Sequence, residues 1–380
     1  MKQTHKQILR VGMIIIPILF ITGLISLAQE KEVEETTIPI VKGDSTKKTS
    51  SFNAYPYVYY TPETSLAFGA GGIFVFYTGD SPELKPSKLG FGLMYSISKQ
   101  YRIGLNPKFY FFDSKLYIET PLSYGYSIDK FFGIGPDTES TGSEKFTKKY
   151  FTASLTIQVP PVIFAADRTG IILDYEYTEI TDKMENELLL NDEVTGSNGG
   201  HTFGIGGDLV WDSRDNIFFP NSGGYQYFKV VVYPEIDISA FSFMELDVRQ
   251  FFAFRPDIVL GGNFYVASTT GDAPFYKLPA LGGQKRMRGY FMGRHRDNFF
   301  MMLQTEFRHM FSKRFGYVLF GGVGNVSNSM MEYSFNNVKY SFGGGLRFRF
   351  NQKEKVNLRM DIGVGPDKNM GIYFGIEEAF

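Results

Sequence analysis

The residues that could do chemistry are few, and their spacing does not favour it. The four histidines are His5, His201, His295 and His309, and no two stand at a metal-binding interval. The chain has no cysteine, which excludes disulfides, thiolate metal sites and a lipidated N-terminal cysteine. Two acidic pairs, Asp174/Glu176 and Glu245/Asp247, sit two residues apart, so each pair shares one face of a strand. Such a pair could hold a cation or exchange protons, but carboxylates on the wet face of a strand are the plainer expectation. No G-x-S-x-G elbow occurs, and Gly204-Ile205-Gly206-Gly207 lies inside an alternating pattern, so it is not a phosphate loop. Catalysis would require loop residues such as His201 and His295 to meet in space. The expectation is no enzyme, no metal and no cofactor.

The elements that must position these residues are strands. The 380 residues include 38 Phe, 24 Tyr, a single Trp and 41 Gly, a composition suited to strands and turns. A net charge of −1 gives no reason to expect nucleic acid. Only one long apolar run exists, Val11 to Leu27, and it follows the basic Lys2, His5, Lys6 and Arg10. Ser26-Leu27-Ala28 offers small residues for cleavage, so residues 1–28 are expected to be a signal peptide. Residues 29–51 are rich in Glu, Lys and Thr with no apolar face, and are expected to be a disordered periplasmic leader.

From Phe52 to Phe380 the period is two. Phe151, Ala153, Leu155, Ile157 and Val159 alternate with Thr152, Ser154, Thr156 and Gln158, and Leu358, Met360 and Ile362 alternate with Asn357, Arg359 and Asp361. A soluble sandwich also alternates, but its strands are about 5 to 6 residues long. These run about 10 to 14, the length that crosses a bilayer at a tilt, and their polar faces carry several charges. The expected fold is all-β, a transmembrane antiparallel β-barrel of about 16 strands over residues 52–380. The expected strands are 53–61, 64–77, 86–98, 100–111, 114–126, 147–159, 162–179, 199–212, 223–233, 238–252, 255–269, 297–310, 313–325, 337–350, 353–364 and 370–379. Long polar loops follow the odd-numbered strands and mostly tight turns the even-numbered ones. That pattern suits an outer membrane with the N-terminus periplasmic.

Two stretches resemble the BamA/TamA family of outer-membrane assembly barrels (the bacterial surface-antigen family). Asp212-Ser213-Arg214-Asp215-Asn216-Ile217-Phe218-Phe219-Pro220-Asn221-Ser222-Gly223 is similar to a family turn of the form D-x-R-D-N-x-x-F-P-x-x-G. Leu281-Gly282-Gly283-Gln284-Lys285-Arg286-Met287-Arg288-Gly289-Tyr290 is similar to its G-G-x-x-x-V-R-G-F/Y loop. Phe131-Phe132-Gly133-Ile134-Gly135 and Tyr59 to Ala70 are weaker echoes of a loop and of the first hairpin. The resemblance implies that Arg288, within Arg288-Gly289-Tyr290, folds into the lumen and pairs with an acid, best matched by Glu306. A second acid is expected at position 322, where this chain has Gly322. Asp212, Arg214, Asp215, Asn216 and Pro220 have a simpler role as turn-capping residues. Family members carry periplasmic POTRA domains, for which residues 29–51 have no room, so a barrel-only member is expected.

Ile372, Phe374, Ile376 and Phe380 fall on one face of the last strand, an aromatic-ended pattern that resembles the signal by which assembly machinery recognises its clients. The expected partners are therefore outer-membrane lipids, that machinery, and periplasmic or outer-membrane proteins. The expected function is insertion or export of proteins, or alternatively lipids, at the outer membrane of a Gram-negative bacterium. The competing function is a gated pore or surface-binding barrel.

Overall fold

A strand that alternates apolar and polar residues must pair on both edges, and in a membrane only a closed sheet leaves no edge. The structure, a computed structural model, describes residues 50–380 apart from 62–64, 139–143, 162–165, 184–186, 191–192 and 367–368. The expected signal peptide, and the expected leader up to residue 49, lie outside the described residues.

The strands are β1 (Ser51–Thr61), β2 (Ser65–Phe76), β3 (Ser87–Ser96), β4 (Tyr101–Phe111), β5 (Leu116–Glu119), β6 (Leu122–Phe131), β7 (Glu144–Val159), β8 (Arg168–Asp182), β9 (Gly199–Asp212) and β10 (Gly223–Tyr233). They continue as β11 (Phe241–Arg255), β12 (Ile258–Gly271), β13 (Ala280–Leu281), β14 (His295–Arg296), β15 (Phe299–His309), β16 (Phe315–Ser327), β17 (Lys339–Asn351), β18 (Val356–Val364) and β19 (Met370–Ile376). All but β13 and β14 belong to one antiparallel sheet of 17 strands. β5 and β6 are halves of one crossing, since both pair with β4 and with β7. Seventeen less one gives sixteen crossings, as the alternation predicts. The break falls at Thr120-Pro121, where proline lacks the N–H a continuous ladder needs.

Burial is inverted relative to a soluble protein. On β17, Leu346 is 64% exposed while its neighbour Arg347 is 1% exposed. Ile205, Leu319, Phe342 and Ile171 are likewise exposed, whereas Glu306, Arg308, Asp361 and Asp208 are buried. The apolar face therefore points outward to lipid and the charged face inward. The two ends differ as the sequence predicts. The connections after β6, β8, β12 and β16 lie at one end and are the longer ones, and the opposite end carries turns such as 112–115, 256–257 and 352–355.

Neighbouring crossings form continuous ladders except at the closure. β1 and β19 lie side by side, but among the described residues no backbone ladder joins them. Side chains tie this region at the short-turn end. Lys88 pairs with Glu377, Asn351 donates to the Ser51 hydroxyl at 3.2 Å, and Tyr77 donates to Glu354 at 3.1 Å.

One prediction follows from the inverted burial. Ile205→Arg, at the middle of β9 facing lipid, lowers the unfolding free energy in lipid vesicles by about 2–4 kcal/mol, while Ile205→Leu stays within about 0.5 kcal/mol of the parent. Urea titration of vesicle-folded protein measures both, and equal stabilities for all three would contradict the outward assignment.

Candidate functional site: a loop pinned inside the barrel

The loop 272–298 connects β12 to β15 and folds into the lumen, where β13 and β14 form a small ribbon. Its tip is Arg288-Gly289-Tyr290, and each residue has a separate physical task. The Arg288 guanidinium is 1% exposed and donates to Asp361 at 2.6 Å through Nη1 and to Glu306 through Nη2. Its plane lies 3.6 Å from the centroid of the Phe320 ring. Gly289 lets the backbone approach β18: with φ +118, a Cβ there would come within 2.8 Å of the Val364 main chain. Gly363 is the matching gap on the wall, since a Cβ on it would meet the Arg288 carbonyl at 2.6 Å. Tyr290 is buried with Tyr265, Leu281, Met287, Phe300, Met302 and Val326, an apolar anchor between the loop and β12, β15 and β16.

The expected Arg288–Glu306 pair is present, and the second acid, expected at position 322, comes from another strand. Gly322 does not leave Arg288 short of partners, because Asp361 on β18 supplies the second carboxylate. At Gly322 a Cβ would stand 3.1 Å from the Met287 sulfur, so a small residue there makes room for the loop tip. Sequence reasoning missed Asp361, although its inward parity in β18 was visible.

Around this pair lies a buried network of arginines and carboxylates. Arg308 Nε donates to Glu306 at 2.9 Å, Arg347 Nη1 to Asp361 at 2.6 Å and Arg359 Nη1 to Asp361 at 2.8 Å. Arg347 Nε also donates to Glu378 at 2.7 Å. Mutual attraction of this kind is what makes burial of so many charges tolerable. The loop tip also reaches the last strand, where the Gly289 N–H donates to the Tyr373 hydroxyl at 2.9 Å.

The turn 213–222 closes the short-turn end. Asp212 accepts from Arg214 at 2.7 Å and pairs with Lys85 at 3.4 Å. Asp215 caps the Asn221 and Ser222 N–H groups at 2.7 and 3.1 Å, and Asn216 caps those of Phe218 and Phe219 at 2.9 and 2.8 Å. These contacts form a self-capped turn, with Pro220 buried in it. The folded turn carries Phe218 onto Ile73, Val75 and Val356, and puts Phe219 between Arg349 and Arg308, at 4.7 and 5.7 Å. Phe218 and Phe219 were not singled out from sequence, although the capping pattern just before them was the available signal.

The C-terminal residues are arranged differently from the sequence expectation. β19 ends at Ile376, because Glu377 takes a φ of +68 and Glu378 turns to Arg347. Phe374 pairs with the outward-facing Met360, while Ile376 packs on the cluster around Phe218. Phe380 is turned inside, against Phe251, Val259 and the Arg308 guanidinium. Phe374, Ile376 and Phe380 thus do not form a single row in the folded barrel.

The residues weighed for catalysis are each engaged elsewhere. Lys277 pairs with Asp174 and Glu176 at 2.9 and 3.0 Å, and Arg249 and Lys229 hold Asp247 and Glu245. His201 lies on the outer surface, with Nδ1 2.8 Å from the Tyr175 hydroxyl. His295 is buried in the loop beside Thr138. Burial, with Arg294 and Lys339 nearby, pushes the His295 imidazole down to about 3, so it stays neutral at ordinary pH. Among the described residues no cluster of three or more His, Asp or Glu could hold a metal.

Loss of the central cation tests the pinned loop. Arg288→Ala destabilises the folded barrel by about 3 kcal/mol and exposes Lys285 and Arg286 to trypsin, while Arg288→Lys, which cannot span both acids, is intermediate. Trypsin digestion of the detergent-folded protein reads this directly. A loop as resistant in Arg288→Ala as in the parent would mean that the pair does not hold it.

Comparison with known proteins agrees with this geometry. No curated protein sequence matches the chain. Among solved structures, BamA from Haemophilus ducreyi lacking POTRA domains 1–3 is similar with a TM-score of 0.55 at 14% identity, over 87% of this chain and 69% of that one. CdiB from Acinetobacter baumannii gives a TM-score of 0.54 at 11% identity, over 86% of this chain and 59% of that one. CdiB from Escherichia coli gives 0.54 at 11%, over 86% and 62%, so the chain spans about three fifths of either CdiB structure. These likenesses establish the fold. The Omp85 superfamily domain profile matches residues 85–380, more than half of the sequence, and the chain therefore belongs to the Omp85 superfamily.

Proposed function

We propose that this barrel takes part in inserting or exporting polypeptides at the outer membrane of a Gram-negative bacterium, with its N-terminus periplasmic. The observation that carries the reading is the connection from Arg288, through Gly289 and Tyr373, to the last strand, beside a closure that lacks a ladder among the described residues. A strand whose edge is unpaired offers backbone donors and acceptors to an incoming client strand. The pinned loop keeps β19 in position to accept it. Resemblance to BamA/TamA barrels supports the same use of the closure.

The filled lumen argues against a wide open pore. The loop 272–298 occupies it, and Phe218, Phe219 and Phe380 crowd the short-turn end. Its partners on this reading are outer-membrane lipids around the apolar belt, assembly machinery that installs it as a client, and a periplasmic or outer-membrane protein that delivers polypeptides. Recognition by that machinery would act on Phe374, Ile376 and Phe380 before the tail folds inward.

Depletion of the protein lowers the amounts of particular outer-membrane proteins, and Arg288→Ala does not restore them even when it reaches the membrane. A photoreactive residue at Ile372 captures a client, while one at Ile205, far around the sheet, does not. Quantitative mass spectrometry of outer membranes and of the crosslinks decides. Unchanged outer-membrane proteins on depletion, together with a steady ohmic conductance in planar bilayers, would replace assembly with a pore.

A further inference from the structure

A second site lies in the part of the lumen near the longer loops. A cavity of about 270 Å³ separates the pinned loop from β6, β7, β11 and β12, and Lys130, Lys148, Arg286 and Arg296 line it together with the single carboxylate of Asp129. Two of these cations have acidic partners behind the cavity wall. Lys148 pairs with Glu176 at 3.3 Å and Arg286 with Glu245 at 3.2 Å. Both acids are shared with further cations, Glu176 with Lys277, which also holds Asp174, and Glu245 with Lys229. The cavity lining and the groups ion-paired to it together hold six cations (Lys130, Lys148, Arg286, Arg296, Lys277, Lys229) and four carboxylates (Asp129, Asp174, Glu176, Glu245), an excess of two positive charges.

The excess is built in. Arg296 is 8% exposed, its Nη1 donates to the Phe275 carbonyl at 3.0 Å, and its guanidinium lies 5.4 and 5.6 Å from the Phe275 and Phe131 ring centroids, with Asp129 the one carboxylate lining the same cavity. Its guanidinium lies against Gly293, where a Cβ would come within 2.1 Å of Nη2, and its own main chain is tied to Gly135 at 2.8 Å. Among the described residues no ion pair joins Lys130 to a carboxylate; its ammonium lies 5.9 Å from the Phe291 ring centroid. Aromatic rings also back Arg286 and Lys148, at 3.5 Å from the Tyr265 centroid and 5.0 Å from the Tyr276 centroid. Rings hold cations without neutralising them. The remaining lining is apolar, including Phe146, Phe243, Leu278 and Met292.

We propose that this cavity binds a phosphate monoester carried on an apolar body. A phosphate monoester bears between one and two negative charges at neutral pH and three acceptor oxygens, which matches the two surplus cations. The apolar lining takes the body of the ligand, and the volume suits one short chain or one lipid headgroup. The site is separate from the Arg288 pair and does not depend on the assembly function.

The test uses the full-length protein in neutral detergent, with octyl phosphate, inorganic phosphate and octanol as probes, read by calorimetry. Octyl phosphate binds more tightly than either of the other two, and Lys130→Gln and Arg296→Gln each weaken it about tenfold, by loss of one charge-assisted contact. Lys130 makes no ion pair within the described residues, so Lys130→Gln keeps the test decisive if Arg296→Gln disturbs the loop. Octanol or inorganic phosphate binding as tightly as octyl phosphate, or affinity unchanged in Lys130→Gln, overturns the proposal. Nanodiscs identify the source. Competition by phosphatidic acid, against zwitterionic lipid, supports the site and assigns the ligand to the bilayer. Octyl phosphate binding undiminished there supports it with a soluble ligand.

Discussion

A guanidinium removed from water cannot remain without counter-charge, and in this barrel that constraint falls on Arg288. Burying it costs several kcal/mol before any partner is counted, so Glu306 and Asp361 must both be within reach. One lies on β15 and the other on β18, and both face the same interior only because the sheet curls round to bring them together. The loop must then cross the lumen to them, which requires bare backbone at Gly289 and Gly363 and an apolar anchor at Tyr290. Closure of the sheet and position of the loop are therefore one problem. Neither could change without leaving a buried charge exposed to its own field.

Around the loop tip the arginines also outnumber the acidic side chains. Arg288, Arg308, Arg347 and Arg359 share Glu306, Asp361 and Glu378. Aromatic faces meet part of the remainder. Phe320 lies under Arg288, and Phe219, Phe251 and Phe380 surround Arg308. Ring quadrupoles attract a cation without the desolvation a further carboxylate would require. The high phenylalanine content thus has two uses, a lipid-facing belt outside and a support for arginines inside, and only the first is visible as alternation.

What could be read from sequence follows from the range of each interaction. Strand positions were legible because alternation is local: the expected 199–212 and 223–233 coincide with β9 and β10. Thr120-Pro121 split a crossing that alternation alone treats as continuous. β8 starts at Arg168, and residues 162–165 of the expected strand 162–179 lie outside the described residues. Asp361 was missed for a different reason. Its inward face was readable, but its partnership with Arg288 joins residues far apart in sequence and depends on sheet closure. Phe380 shows the opposite case. Glu378 visibly interrupted the apolar row, and that interruption is where the tail leaves the strand to reach Arg347.

The closure itself is asymmetric. On one side, β19 is held from within by Tyr373 at the loop tip, and the residues after it are held by Lys88 and Arg347. On the other side, β1 is laddered to β2, and its tie to the far wall is at Ser51, near the short-turn end. Among the described residues, the clamps that cross the closure, Glu377 to Lys88 and Phe218 against both β2 and β18, lie at that same end. On the proposed function, a client strand would meet a β19 edge that the loop tip holds from within. An edge held still is a better template for such a strand than an edge that moves, because only the incoming chain then has conformational freedom to lose.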